Sequence, residues 1–178
     1  MKYIPNILTM FRIFLVPFFI YFFVEDKLTV AFIIFIIASI TDYFDGYLAR
    51  KYQVISNFGK IMDPLADKLL VLSAIGLVTF GKAGFLSQGI FIIITVREVL
   101  ITILRDLYKK KNIILAANNW GKVKTVMQMV GLTAVFLIMA IGWSIPNFVL
   151  ITNIYFWVVV VVTIMSGLTY LTRIKELF

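Results

Sequence analysis

The stretch Asp42–Asp67, DYFDGYLARKYQVISNFGKIMDPLAD, interrupts an otherwise almost continuously apolar sequence. LTVAFIIFIIASIT (28–41) precedes it, and LLVLSAIGLVTF (69–80) follows it after Lys68. A membrane-crossing helix needs about 20 predominantly apolar residues. Each flanking run reaches that length only by entering the polar stretch. The segment therefore reads as the joint between two antiparallel membrane helices, with four aspartates gathered at it. Asp42 and Asp45 are three residues apart, and Asp63 and Asp67 are four apart, so each pair shares one helix face.

The rest of the chain fits this reading. Of its 178 residues, 62% are hydrophobic, against about 45–50% in soluble domains. The mean hydropathy is +1.01. Apolar periodicity and polar punctuation predict spans over 6–24, 28–49, 61–80, 86–108, 122–143 and 148–171. The expected fold is all-α: a polytopic membrane protein of six transmembrane helices forming a single domain over 1–178. Lys2 followed by an apolar run with no small-residue cleavage site reads as a retained first helix.

Charge sets the expected topology. Lys2, Arg50, Lys51, Lys60, Lys109, Lys110, Lys111, Lys122, Lys124, Arg173 and Lys175 fall at the termini or in the second and fourth connections. Only Lys27 and Lys82 fall in the others. The positive-inside rule then puts both termini in the cytoplasm, in a multi-pass protein of the inner membrane. The net charge of +8 reflects topology and contact with anionic membrane lipids, not nucleic acid. There is no cysteine and no histidine. Disulfides, thiolate sites and the commonest general base are therefore excluded, and any metal must be held by oxygen, which favours Mg²⁺, Mn²⁺ or Ca²⁺.

Charges within spans cost roughly 2.5–3.5 kcal/mol near the bilayer centre. Arg105, Asp106 and Lys68 can be read as flanking groups that snorkel to the headgroups, but the four aspartates are too short for that. Four converging carboxylates repel one another unless cations lie between them, so they form a candidate site for one or two hard divalent ions. Gly46 and Gly59 beside them suit either close approach of a ligand or close helix packing. Asp63-Pro64 admits two readings: Asp63 as an N-cap, or a helix that begins near Asn57 and passes through the proline.

The motif Asp42-x2-Asp45-Gly46-x2-Ala49-Arg50, eight residues, then Gly59-x3-Asp63-x3-Asp67, resembles the signature of the CDP-alcohol phosphatidyltransferase family at every fixed position. Ile4-Pro5-Asn6-Ile7-Leu8-Thr9 with Arg12 and Pro17, Arg97-Glu98, Arg105, and Gly121-Lys122-Val123-Lys124-Thr125 with Gln128 are similar to the bacterial phosphatidylglycerophosphate synthases within that family. The resemblance implies transfer of a phosphatidyl group from CDP-diacylglycerol to sn-glycerol 3-phosphate, with release of CMP. It implies two divalent ions, Mg²⁺ or Mn²⁺, on Asp42, Asp45, Asp63 and Asp67. Asp67 would also be the general base, although it could be a metal ligand alone while water takes the proton. Gly46, Ala49, Arg50 and Gly59 would lie by the cytidine diphosphate, with Asn6 and Thr9 reaching the CDP-lipid from the first span.

A phosphorylated acceptor needs cations, and Lys60, Arg97, Arg105, Lys122 and Lys124 are the candidates. Arg97 could instead pair with a buried carboxylate, and Lys122 and Lys124 could serve topology alone. Either the fifth or the sixth span could supply a homodimer face. Two other functions suit parts of the pattern. The same chemistry could use inositol phosphate, serine or a lipid alcohol as acceptor. Intramembrane carboxylates would also suit a divalent-metal transporter, although transporter sites usually lie nearer mid-bilayer, often between inverted repeats.

Overall fold

The computed structural model describes residues 4–51, 57–82, 84–110 and 119–175; the side chains of 4–5, 43–51, 57–61, 63–64, 106, 109–110, 171 and 173–175 lie outside the description. The described residues form six helices: α1 (Ile4–Val24), α2 (Leu28–Lys51), α3 (Asn57–Phe80), α4 (Gln88–Lys110), α5 (Asn119–Ile141) and α6 (Phe148–Lys175). The protein is an all-helical, polytopic membrane protein. Among the described residues, α1, α5 and α6 are each long and apolar enough to cross a bilayer unaided, and α2 holds a shorter apolar stretch, Leu28–Asp42. In α2, α3 and α4 the apolar run is broken by the charges of the candidate site. At 24 and 23 residues these helices still extend about 35 Å. Their outer surfaces are apolar: Ile33, Ile37 and Ile40 on α2, Leu65 and Leu69 on α3, and Ile92, Val96, Val99 and Ile103 on α4 are all exposed.

Element boundaries depart from expectation mainly at the joint. A loop was expected over 50–60, but α2 continues to Lys51 and α3 begins at Asn57. Ala49, Arg50 and Lys51 are good helix formers, and a helix need not stop where the hydrocarbon does. Asp63 therefore lies inside α3 and is not its N-cap. Pro64 is accommodated within the helix, as Pro17 is within α1.

The helices close a ring. α1 packs on α2 and α3, α2 on α5, α5 on α6, α6 on α4, and α4 on α3; α3 and α5 also touch across it. Among the described residues α2 and α3 also touch, and α1 lies against both. One apolar cluster draws on all six helices. At its centre, Phe136 of α5 meets Phe19 and Phe23 of α1 and Phe35 of α2, with ring centroids 5.4, 5.8 and 5.1 Å away.

Two helix ends on the side away from the joint are closed by the same backbone device. Asp26 (φ 58°) and Gly142 (φ 65°) adopt left-handed conformations after α1 and α5. Lys27 and Trp143 then donate to the carbonyls of Phe22 and Ile138, the paired-bond pattern of a Schellman cap. Asn153 of α6 holds the α3–α4 connection, accepting from the Ser87 amide (2.9 Å) and donating to the Phe85 carbonyl (2.7 Å).

α5 and α6 approach closely at Gly131. A Cβ there would lie 2.4 Å from the Tyr155 ring, and that ring is fixed because its hydroxyl donates to the Met127 carbonyl at 2.9 Å. Gly131→Ala is expected to destabilise the protein by roughly 1–3 kcal/mol, the usual cost of overpacking. Thermal unfolding in detergent would register this, and an unchanged midpoint would show that Tyr155 can move aside.

Candidate active site

The buried face of α1 carries Thr9, Arg12, Val16, Phe19 and Phe23, spaced three and four residues apart. It is polar at its start and aromatic further on. Arg12 is fully buried, and its Nη1 lies 2.5 Å from Asp42 Oδ1; the Asp42 side chain is 45% exposed. An arginine in that position needs a carboxylate partner, because an unpaired charge removed from water costs several kcal/mol. The pair ties α1 to α2 at the end where the joint lies.

A second ionic cluster joins α4, α5 and α6 at the same end. Glu98 Oε1 accepts from Lys124 Nζ and, at 3.3 Å, from Arg97 Nη1. Arg97 Nη2 donates to Ser166 Oγ. All three charged side chains are largely buried, at 13%, 6% and 14% exposure for Glu98, Lys124 and Arg97. Arg105, a turn or two further along α4, donates from Nε to the Tyr170 hydroxyl at 3.2 Å and lies 5.6 Å from that ring's centroid.

Glu98 and Lys124 of the second cluster border a cleft of about 40 Å³. α3 lines it with Asp67, Lys68, Val71 and Leu72, α4 with Glu98, and α5 with Lys124, Thr125 and Gln128. Asp67 lies within electrostatic reach of Asp42, Arg12, Glu98 and Lys124, so the cleft and the Arg12–Asp42 pair belong to one charged region. Lys124 and Gln128 are one turn apart on α5 and face the same way. Gln128 is 2% exposed, and its Nε2 has no hydrogen-bond partner among the described residues. A donor buried in this way costs about 1–3 kcal/mol.

The sequence candidates are distributed unevenly. Asp67 and Lys124 line the cleft, and Asp42 lies within electrostatic reach of Asp67. Arg97 is engaged with Glu98 and Ser166, Arg105 with Tyr170, and Lys122 is exposed on α5 outside the cleft lining. Thr9 is buried on α1, and Asn6 borders an open apolar groove of about 500 Å³ along the outside of that helix. Asp45 and Asp63 are helical, but their side chains, those of Ala49, Arg50 and Lys60, and the surroundings of Gly46 and Gly59 lie outside the described residues. Sequence reasoning did not assign Glu98, Lys68, Thr125, Gln128 or Ser166 to the site. A glutamine in an otherwise apolar stretch of α5 was a usable signal, because polar groups in membrane helices are costly unless employed.

The donor set suits a hard divalent ion. With no histidine or cysteine in the chain, the available ligands are carboxylate oxygens. Asp42 and Asp67 each feel the other's negative charge, a repulsion that a cation between them would relieve. Among the described residues no group of three or more potential ligands forms; the other two aspartates of the pattern are those whose side chains are not described.

Charges gathered at one end of an otherwise apolar membrane bundle suit an enzyme that works where bilayer meets water. The profile of the CDP-alcohol phosphatidyltransferase family matches residues 2–165, and the chain belongs to that family of transferases. Three curated relatives, each named CDP-diacylglycerol–glycerol-3-phosphate 3-phosphatidyltransferase, align with almost the whole chain. The protein of Bacillus subtilis (strain 168) is 37% identical over 96% of this chain and 94% of its own length. That of Haemophilus influenzae (strain ATCC 51907 / DSM 11121 / KW20 / Rd) is 36% identical over 97% and 93%. That of Rickettsia felis (strain ATCC VR-1525 / URRWXCal2) is 33% identical over 99% and 98%.

Glu98 is the shared acceptor of its cluster, so neutralising it leaves two buried cations without their carboxylate. Glu98→Gln is expected to lower stability by about 3 kcal/mol. The double variant Glu98→Gln/Lys124→Met is expected to recover part of that loss. Chemical or thermal unfolding of these two variants and of Lys124→Met tests this, and a double-variant loss equal to the sum of the two single losses would mean that the two residues are not energetically coupled.

Proposed function

We propose that this chain transfers a phosphatidyl group from CDP-diacylglycerol to sn-glycerol 3-phosphate, giving phosphatidylglycerophosphate and CMP. The observation that carries this reading is the cleft, which Asp67, Lys68 and Lys124 line together at the same end of the bundle as Asp42. A hydroxyl-bearing anion needs that combination. The near full-length likeness to relatives of that name supports the choice of donor and acceptor.

The residues would divide the work as follows. Asp42, Asp45, Asp63 and Asp67 would hold Mg²⁺ or Mn²⁺, two ions by family resemblance, which when bound supply positive charge to the pyrophosphate and its leaving group. Lys124 and Lys68 attract the acceptor's phosphate. Glu98 takes one of the three donors of the Lys124 ammonium and fixes its position. The acceptor hydroxyl oxygen forms a bond to the phosphorus that carries the diacylglycerol. The bond from that phosphorus to the oxygen of CMP breaks, and CMP leaves with the electron pair. Asp67 accepts the hydroxyl proton.

The apolar groove beside Asn6 and the exposed apolar belt offer the donor's acyl chains a place in the bilayer. The basic connections support placing this end of the bundle, with both termini, on the cytoplasmic side of the inner membrane.

The test is CMP release by purified protein with CDP-diacylglycerol and Mg²⁺ or Mn²⁺, comparing glycerol 3-phosphate, inositol phosphate, serine and no acceptor. Release is expected with glycerol 3-phosphate, to stop on chelation and to return when the metal is restored. Asp67→Asn should lower kcat at least about 10²-fold, the scale of a lost general base. Release driven by another acceptor would correct the substrate. No release from folded protein with any acceptor would remove the transferase reading.

A further inference from the structure

Gln128 lines the cleft with a buried donor whose hydrogen-bonding capacity is unspent: its Nε2 has no partner among the described residues. Of the charged groups lining the cleft, Lys124 is engaged with Glu98, and Glu98 also with Arg97. The position is also informative. Asp67 and Lys124 lie at one level of the cleft, and Val71, Leu72 and Gln128 lie one helical turn further along α3 and α5. Gln128 is therefore the polar group of an otherwise apolar floor. A neutral amide donor also suits a hydroxyl oxygen, whereas the nearby lysines suit an anion.

Resting on the acceptor reading above, the geometry points to Gln128 as the residue that reads the acceptor's second, non-reacting hydroxyl. With the reacting hydroxyl at Asp67 and the phosphate toward Lys68 and Lys124, the middle hydroxyl of glycerol 3-phosphate faces the floor and accepts from Gln128 Nε2. Val71 and Leu72 offer that hydroxyl no alternative partner. An acceptor without it would leave the amide donor buried and unpaired, and a site of this kind discriminates strongly against such an analogue. Gln128 is thus a specificity-determining residue for the acceptor and has no part in donor binding.

The test compares glycerol 3-phosphate with propane-1,3-diol monophosphate, which keeps the reacting hydroxyl and the phosphate but lacks the middle hydroxyl. CMP release by the wild-type protein is expected to favour glycerol 3-phosphate by about tenfold or more in kcat/KM. In Gln128→Leu the ratio should fall towards one, while the KM for CDP-diacylglycerol stays unchanged. Gln128→Met, whose unbranched side chain has similar volume, serves the same purpose if the leucine variant does not fold. A wild-type ratio near one overturns the proposal without any variant. A folded Gln128 variant that keeps the full preference also overturns it. If the wild type releases CMP with serine or inositol phosphate but with neither glycerol-type acceptor, the acceptor reading fails and this inference fails with it.

Discussion

A charge inside a membrane bundle must have a partner, and that constraint organises this molecule. Arg12 is fully buried on α1 and is matched by Asp42 on α2. Lys124 on α5 and Arg97 on α4 share Glu98, and Arg97 reaches Ser166 on α6. These pairings bring five of the six helices to one end of the bundle, and α3 contributes Asp67 and Lys68 among them. The site is therefore also part of the framework. Its ionic contacts fix helix positions that lipid-facing apolar surfaces cannot, since side chains and lipid tails are equally apolar.

Because helices run the length of the bundle, each buried face grades from one chemistry to another. On α5 the sequence of buried residues is Lys124, Gln128, Gly131, Leu132, Val135 and Phe136. On α6, read in the opposite direction, it runs from Tyr170 and Ser166 through Thr163 to Val160, Val159 and Phe156. Stability and chemistry are thus placed at different depths of the same helices. The apolar half holds them by close packing, illustrated by Gly131 against Tyr155, and leaves the polar half to carry groups that are costly to bury.

Much of this was legible in the sequence. The apolar runs gave the described helices in order, and of the four aspartates singled out by their spacing, Asp42 and Asp67 stand in the charged region. Helix limits at the joint were not legible, because hydropathy reports where hydrocarbon ends, whereas Ala49, Arg50 and Lys51 continue a helix on propensity alone. Nor could spacing reveal the partner of Arg97. Adjacent residues on a helix do not face each other, and Ser166 lies 69 residues away in sequence. The unspent donor of Gln128 was likewise invisible, since it depends on what α3 and α4 fail to offer it. The cation candidates Lys122 and Lys124 looked equivalent in sequence, but two positions on a helix differ by about 200°, which leaves Lys122 exposed and Lys124 buried.

The aromatic cluster of Phe19, Phe23, Phe35 and Phe136 has an electrical consequence. It begins about 10 Å along α1 and α2 from the Arg12–Asp42 pair, and it fills the space between three helices with low-dielectric rings. The ionic region thus ends in an insulating plug instead of continuing towards the opposite face. A charged region of this kind can then be housed in an energised membrane without becoming a leak, with most of the transmembrane voltage falling across the phenylalanines and little across the ionic groups.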